Sequence, residues 1–401
     1  MTEKCNEIEQ GDRKISNFIS VYFLFEAINL LVKLWIGEPP MWGMISKGIL
    51  AFFLFQALIV VAKRKILSLI GSEVLFAILF FCEIMMDNIG DTDIYSIIFH
   101  SLCVYLPLGI CTYCIDNYEI LLKRLYLLSW PTSFILIGVS LNVSVTAYDY
   151  YMSLGYAFIP QIFILWDRCL HSFKWYDFVL SVINVSLCLA VGSRGPILCL
   201  GIFVLLAILC SDFLSLKKKI CIFGSLLIGC VCFILFYKSF FRIVSDILKS
   251  FGYSSRTLLL LASGNLSDSG RGEIYKTTIE KIIRKPFMGW GLAGGWTDTI
   301  YPHNIFLEFL LSFGIIFGGI ISIYFLYLMF TGLMQKDVVN RRLTVIFVST
   351  ISCLLISDSF IMHPSFFICV ALCRQGKHAN RKEAEYIRMK QRGTYEKSIV
   401  E

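Results

Sequence analysis

The sequence predicts an all-α integral membrane protein with about twelve transmembrane helices, both termini in the cytoplasm and one large extracytoplasmic loop. Three observations predict it. The 401 residues are 57% hydrophobic and only 16% charged, with a mean hydropathy of +0.72, whereas a soluble domain keeps apolar and charged residues in closer balance. Apolar runs long enough to cross a hydrocarbon core of about 30 Å recur along the chain. Basic residues concentrate in alternate loops between those runs.

The runs lie near 16–36, 44–62, 66–86, 94–114, 125–143, 152–166, 176–192, 195–212, 219–237, 304–330, 343–359 and 362–373. Each is expected to be helical, because backbone groups in lipid must be satisfied within their own segment and no barrel-like alternation occurs. The sixth and last runs are short for a full crossing. With the N-terminus inside, the inner face receives Lys63–Lys65, Lys123 and Arg124, Arg168 and Lys174, Lys217–Lys219, Lys336, Arg341 and Arg342, and the basic tail from Arg374. The outer loops at 37–43, 87–93 and 144–151 contain no Lys or Arg. The polar N-terminus lacks a cleavage signal after the first run, which reads as an uncleaved anchor. The chain thus divides into an N-terminal bundle of about nine helices (1–237), an extracytoplasmic loop (238–303), C-terminal helices (304–373) and a basic cytoplasmic tail (374–401).

The net charge of +7 does not require a nucleic acid. A basic tail beside anionic head groups is topogenic, and membrane lipids are its expected partners. Of the 15 cysteines, none lies in an expected outer loop, so membrane-packed thiols are expected rather than a disulfide framework. Cys111 and Cys114 form a single CxxC at a helix end, without the second pair that a zinc site needs.

One outer segment departs from the charge rule. Residues 238–303 carry Lys238, Arg242, Lys249, Arg256, Arg271, Lys276, Lys281, Arg284 and Lys285. Long loops translocate regardless of charge, so the topology stands, but the cations call for an anionic substrate. The segment also holds the densest run of motifs: Ser269-Gly270-Arg271, then a basic amphipathic helix, then Pro286-Phe-Met-Gly-Trp-Gly291, then Tyr301-Pro-His-Asn304 entering an apolar helix. An earlier turn, Ser193-Arg194-Gly195, joins the seventh and eighth runs at the outer face.

In their order and placement these motifs resemble the O-antigen ligase and polysaccharide polymerase family of bacterial envelopes, over roughly residues 180–330. The resemblance implies a multi-pass protein of the bacterial inner membrane. It implies transfer of saccharide from an undecaprenyl-pyrophosphate carrier to a sugar hydroxyl at the outer face, beside other polysaccharide assembly proteins. It carries Arg194, Arg271 and His303 over as catalytic residues. A departing pyrophosphate develops negative charge that an Arg fork can hold bidentately, and an attacking hydroxyl needs a base, commonly His. Arg284, Lys285, Tyr301, Asn304 and Glu308 are the candidate substrate contacts. Each has a plainer alternative. Arg194 is alternatively a snorkelling interface residue, Arg284 and Lys285 a solvated helix face, and His303-Asn304 a helix cap. Glu308, one turn below Asn304, alternatively supports a polar network.

No cofactor or divalent metal is expected. The outer acids Asp268, Glu273 and Asp298 are scattered, and the family resemblance points the same way. Gly289 to Gly294 fits G-x-G-x-x-G but follows no strand, so it reads as a turn. Gly314 and Gly318 read as helix-packing residues. The intramembrane acids Glu26, Glu73, Glu83 and Asp358 receive no role. The ligase pattern H-N-x9-G fits through Gly314 and departs at Phe317, while Arg284 to Gly295 fits the polymerase pattern R-x10-G once. Polymerase is the reading adopted and ligase the alternative. A lipid-linked oligosaccharide transporter is the rival of another class, although no internal repeat appears.

Overall fold

Amide groups in lipid find partners only within their own segment or against other protein, and this chain meets that demand with helices. The computed structural model describes residues 2–37, 39–85, 92–143, 152–190, 195–212, 214–250, 270–296 and 301–375, and no strand occurs among them. In chain order the helices are α1 (Thr2–Trp35), α2 (Pro40–Met85), α3 (Thr92–His100), α4 (Leu106–Tyr113), α5 (Tyr118–Val143), α6 (Met152–His171) and α7 (Trp175–Ala190). They continue as α8 (Gly195–Leu209), α9 (Leu216–Ser250), α10 (Arg271–Arg284), α11 (Ile305–Leu333) and α12 (Val338–Ile351), and then α13 (Pro364–Gln375). A π-type turn at Ser101–Tyr105 joins α3 to α4, and 3-10 turns at Ser352–Leu355 and Phe360–Met362 separate α12 from α13.

The apolar runs fall on helices. Six helical stretches among the described residues are long and apolar enough to span a membrane: Asn6–Lys33, Met41–Lys65, Ile94–Tyr113, Tyr118–Leu141, Ile305–Leu333 and Val338–Leu355. Trp175–Leu189, Gly195–Leu209 and Pro364–Gln375 are apolar but shorter. Two boundaries differ from expectation. The inner loop between the second and third runs is a break inside α2 at Lys65 (φ −146°, ψ 49°). The boundary placed at 237/238 falls within α9, which continues to Ser250.

Between lipid-solvated helices, packing and polar contacts replace the hydrophobic drive of a soluble core. α1 lies against α2 and α5, α6 against α5 and α7, and α12 against α6 and α8. Phe163 stacks on Phe203 at 4.4 Å within this interior. On α11, Ile320, Ile323 and Phe330 stay exposed, as a lipid-facing surface requires.

Many basic residues of the expected inner loops are clamps as well as topogenic charges. Arg64 donates to buried Asp12 (2.6 Å) and to the carbonyls of Ile8 (2.7 Å) and Cys114 (3.0 Å), while Asp12 also accepts from Asn117 N (2.9 Å). Arg342 meets Asp167 through two nitrogens at 3.0 and 2.7 Å and reaches Tyr126 Oη at 2.7 Å. Arg168 pairs with buried Asp177 at 3.1 Å. Cys111 and Cys114, like the other described cysteines, are free thiols, and both are buried.

Candidate active site at the start of α11

The site is built on a helix start and a helix break. Asn304 is the N-cap of α11: its Oδ1 accepts from Phe306 N (3.0 Å) and Leu307 N (3.1 Å), and its Nδ2 donates to Leu355 O (3.0 Å). Three otherwise unmet backbone groups are satisfied by one side chain. The cap alternative therefore describes Asn304, whose amide is committed to backbone rather than turned to a substrate. His303, just before it, takes a positive φ of 53°. Strain of this kind in a non-glycine residue concentrates at functional sites.

The break lies further along α11. Gly314 has φ 74° and ψ 174°, and a Cβ there would sit 2.3 Å from Phe287 O. The interruption releases backbone groups that the Pro286–Gly291 turn takes up: Ile315 N donates to Pro286 O (2.7 Å), Trp290 N to Leu311 O (2.8 Å) and Gly291 N to Ser312 O (2.9 Å). Gly289 is required by the same approach, since its Cβ would meet Ser312 O at 2.4 Å. The glycine-rich stretch is thus a turn, as read from sequence. Gly314 is a break residue rather than a simple packing one.

This docking fixes α10. Lys281 Nζ donates to Gly295 O (2.7 Å), and Trp290 Nε1 donates to Lys281 O (2.9 Å). Arg271, the first residue of α10, is half-buried and close enough for its charge to act on His303. Arg284 ends the same helix, about 20 Å away along its axis, and is exposed. Lys285 Nζ lies 4.0 Å over the Trp290 ring. Arg284 and Lys285 thus lie at the opposite end of α10 from Arg271. Arg194 lies outside the described residues.

Around His303 the structure gathers Tyr301, a candidate contact from the sequence, with Trp296 and Asp358, which sequence reasoning left unassigned. The His303 ring packs against Tyr301 at 4.3 Å, and Tyr301 packs against Trp296 at 5.4 Å. The His303 Nδ1 is buried without a hydrogen-bond partner among the described residues. Burial lowers the imidazole pKa below its ordinary value, the Arg271 charge lowers it further, and Asp358 opposes both. Asp358 also has a positive φ, 63°, and lines a cavity of about 260 Å3 with Tyr301, Glu26, Gln161 and His363. Glu308 is wholly buried. It accepts from Ser359 Oγ and from Phe360 N (3.3 Å), which gives it a supporting rather than a contacting position.

Asp358 and Glu26 carried the one available sequence signal, a carboxylate within an apolar run. What the sequence lacked was their partner. Among the described residues, no group of three or more His, Cys, Asp or Glu is arranged to hold a metal ion. A mostly apolar cavity of about 530 Å3 among Trp166, Phe203 and Val345 shares no lining residue with the Asp358 cavity.

Residues 179–333 match the family model described as O-antigen ligase, a stretch from within α7 to the end of α11 that includes Arg194, Arg271, His303, Asn304 and Glu308. Asp358 lies beyond it. Neither the curated proteins nor the solved structures gave a match. Apolar helices of spanning length and this domain together mark a membrane protein, and residues 179–333 carry an O-antigen ligase domain, of a family whose members are glycosyltransferase-like enzymes.

Proposed function

We propose that the protein is a polysaccharide polymerase. In this reading it transfers saccharide from an undecaprenyl-pyrophosphate carrier to a lipid-linked sugar acceptor at the outer face of the bacterial cytoplasmic membrane, in multi-pass topology. The observation that carries the proposal is the setting of His303, a half-buried residue of positive φ whose Nδ1 has no partner among the described residues, within reach of the charges of Arg271 and Asp358 and packed on Tyr301, which lines the Asp358 cavity. A lowered pKa keeps the ring neutral near pH 7, as a proton acceptor must be.

The proposed step balances simply. His303 takes the proton from the acceptor hydroxyl as its oxygen bonds to the anomeric carbon. The bond from that carbon to the pyrophosphate oxygen breaks, and the carrier pyrophosphate leaves with the electron pair. Arg271, which makes no ion pair among the described residues, faces the growing negative charge, and Arg194 is assigned the same role by family resemblance. Tyr301 is the proposed sugar contact, because it lines the cavity beside the His303 ring. Asn304 and Glu308 act through the backbone they hold. The step uses no divalent metal.

Ligase activity, with the glycan passed to a lipid A-core acceptor, is the second reading, favoured by the description of the matching family model. Purified protein given only a lipid-linked repeat unit separates the two. A ladder of lengthening lipid-linked products is the polymerase result. Product only when lipid A-core is added assigns the ligase and overturns the polymerase reading.

A further inference from the structure

A second cavity, of about 560 Å3, opens between α1, α2 and the π-type turn after α3. Its lining includes Glu26, Asn29, Lys33, Trp42, Lys47 and His100. Glu26 is shared with the cavity that holds Asp358, so one side chain stands between the two spaces. The volume lies in the range of small-molecule sites.

The charge of this lining is unusual for its place. Lys47 lies within the apolar stretch Met41–Lys65 and makes no hydrogen bond or ion pair among the described residues, and Lys33 closes the stretch Asn6–Lys33. A cation in a membrane segment is costly unless it meets an anion or water. Among the described residues, Lys33, Lys47 and the His100 ring line this space with the carboxylate of Glu26. Trp42 supplies a fixed apolar wall: its ring stacks on Phe25 at 6.5 Å and 7°, and its Nε1 donates to Asn29 Oδ1 at 3.0 Å. Cations beside an ordered aromatic wall suit an amphiphile with a phosphate head.

We infer that this cavity is a second lipid-phosphate subsite, which holds the pyrophosphate of the acceptor lipid while its sugar extends past Glu26 toward His303. The inference rests on the polymerase reading, in which donor and acceptor both carry a lipid pyrophosphate and one cationic site cannot serve two. Arg271 stands on the His303 side, and Lys33, Lys47 and His100 stand on the other side of Glu26. The two head groups are thereby kept apart while the reacting sugars meet.

The test is lipid binding to the purified full-length chain in nanodiscs, with undecaprenyl pyrophosphate as probe and bound lipids counted by native mass spectrometry. The wild-type chain binds two. Lys33→Gln with Lys47→Gln weakens one site by about tenfold or more and leaves the other. Arg271→Gln weakens the other. The Lys33→Arg, Lys47→Arg chain keeps both sites, which separates lost charge from misfolding. Two undiminished sites in the Gln variant overturn the subsite. So does displacement of the Lys-dependent lipid by phosphatidylglycerol at equal concentration, which marks an ordinary phospholipid site. A wild-type chain with a single site, weakened only by Arg271→Gln, overturns the subsite while the proposed function stands. Binding of no pyrophosphate lipid overturns both.

Discussion

The carboxylate of Glu308 accepts hydrogen bonds from Ser359 Oγ and Phe360 N, so the segment that carries Asp358 hangs from the helix that begins directly after His303 and Asn304. Two sides of the candidate site are thus set by one buried contact. Glu308→Ala leaves the Ser359 and Phe360 donors without their acceptor, a loss of about 1–3 kcal/mol in such settings. The expected outcome is a lower melting temperature in detergent and a fall in kcat larger than any change in KM. Unchanged kcat in a stably folded variant contradicts this positioning role.

A base with a lowered pKa sets the sign of the pH dependence. His303 must be neutral to accept a proton, so transfer is present above a midpoint lying below 6.5 and is lost as pH falls through that midpoint. Arg271→Gln removes a charge that lowers the pKa and moves the midpoint up. Asp358→Asn removes a charge that raises it and moves the midpoint down. Single-turnover rates from pH 5 to pH 8 check both directions, and shifts of reversed sign contradict the placement of these charges.

The helix break makes a separate demand. Gly314→Ala adds a Cβ at 2.3 Å from Phe287 O on a backbone with φ 74°, and neither element can move without losing the bond from Ile315 N to Pro286 O. The expected cost is about 1–3 kcal/mol of conformational strain plus the lost docking. Limited proteolysis should cut the 286–296 turn faster in the variant. Wild-type protection there contradicts the account of the break.

Hydropathy made the helices legible, because apolar runs in lipid have one solution. It was silent on where a helix is interrupted. Gly314 sits in a run as apolar as its neighbours, and only its contact with Phe287 shows why it is glycine. The run expected over 343–359 ends early because Ser357-Asp358-Ser359 turns the chain between two 3-10 segments, a polar triplet that the run's average hides. Motif order singled out His303 and Arg271, whereas Glu26 on α1 and Asp358 in the bend between the two 3-10 turns lie far apart in the chain and no local pattern connects them. Asn304 was legible both as a cap and as a contact, and the geometry assigns the cap.

The clamps at the opposite end predict a contrast in stability. Arg342→Ala strands Asp167, which is largely buried and also accepts from Tyr126 Oη, and loss of one partner of a buried pair costs about 3–5 kcal/mol. Arg284→Ala, at an exposed site, should leave stability within about 0.5 kcal/mol of wild type. Thermal melting in detergent compares them directly. Equal melting temperatures for the two variants contradict the clamp.

The proposed transfer step is written without a divalent ion. Activity in excess chelator should equal that in magnesium. Loss in chelator that added magnesium restores contradicts the metal-free mechanism.

The central claim is that His303 removes the acceptor proton, and the most direct measurement is single-turnover transfer by purified His303→Ala with a defined undecaprenyl-pyrophosphate-linked saccharide. A general base contributes roughly 10²–10⁴-fold to a rate. The account predicts a loss in that range with donor binding retained, and a milder loss for Asn304→Ala. A His303→Ala rate within a few-fold of wild type, with an unchanged pH profile, would contradict it.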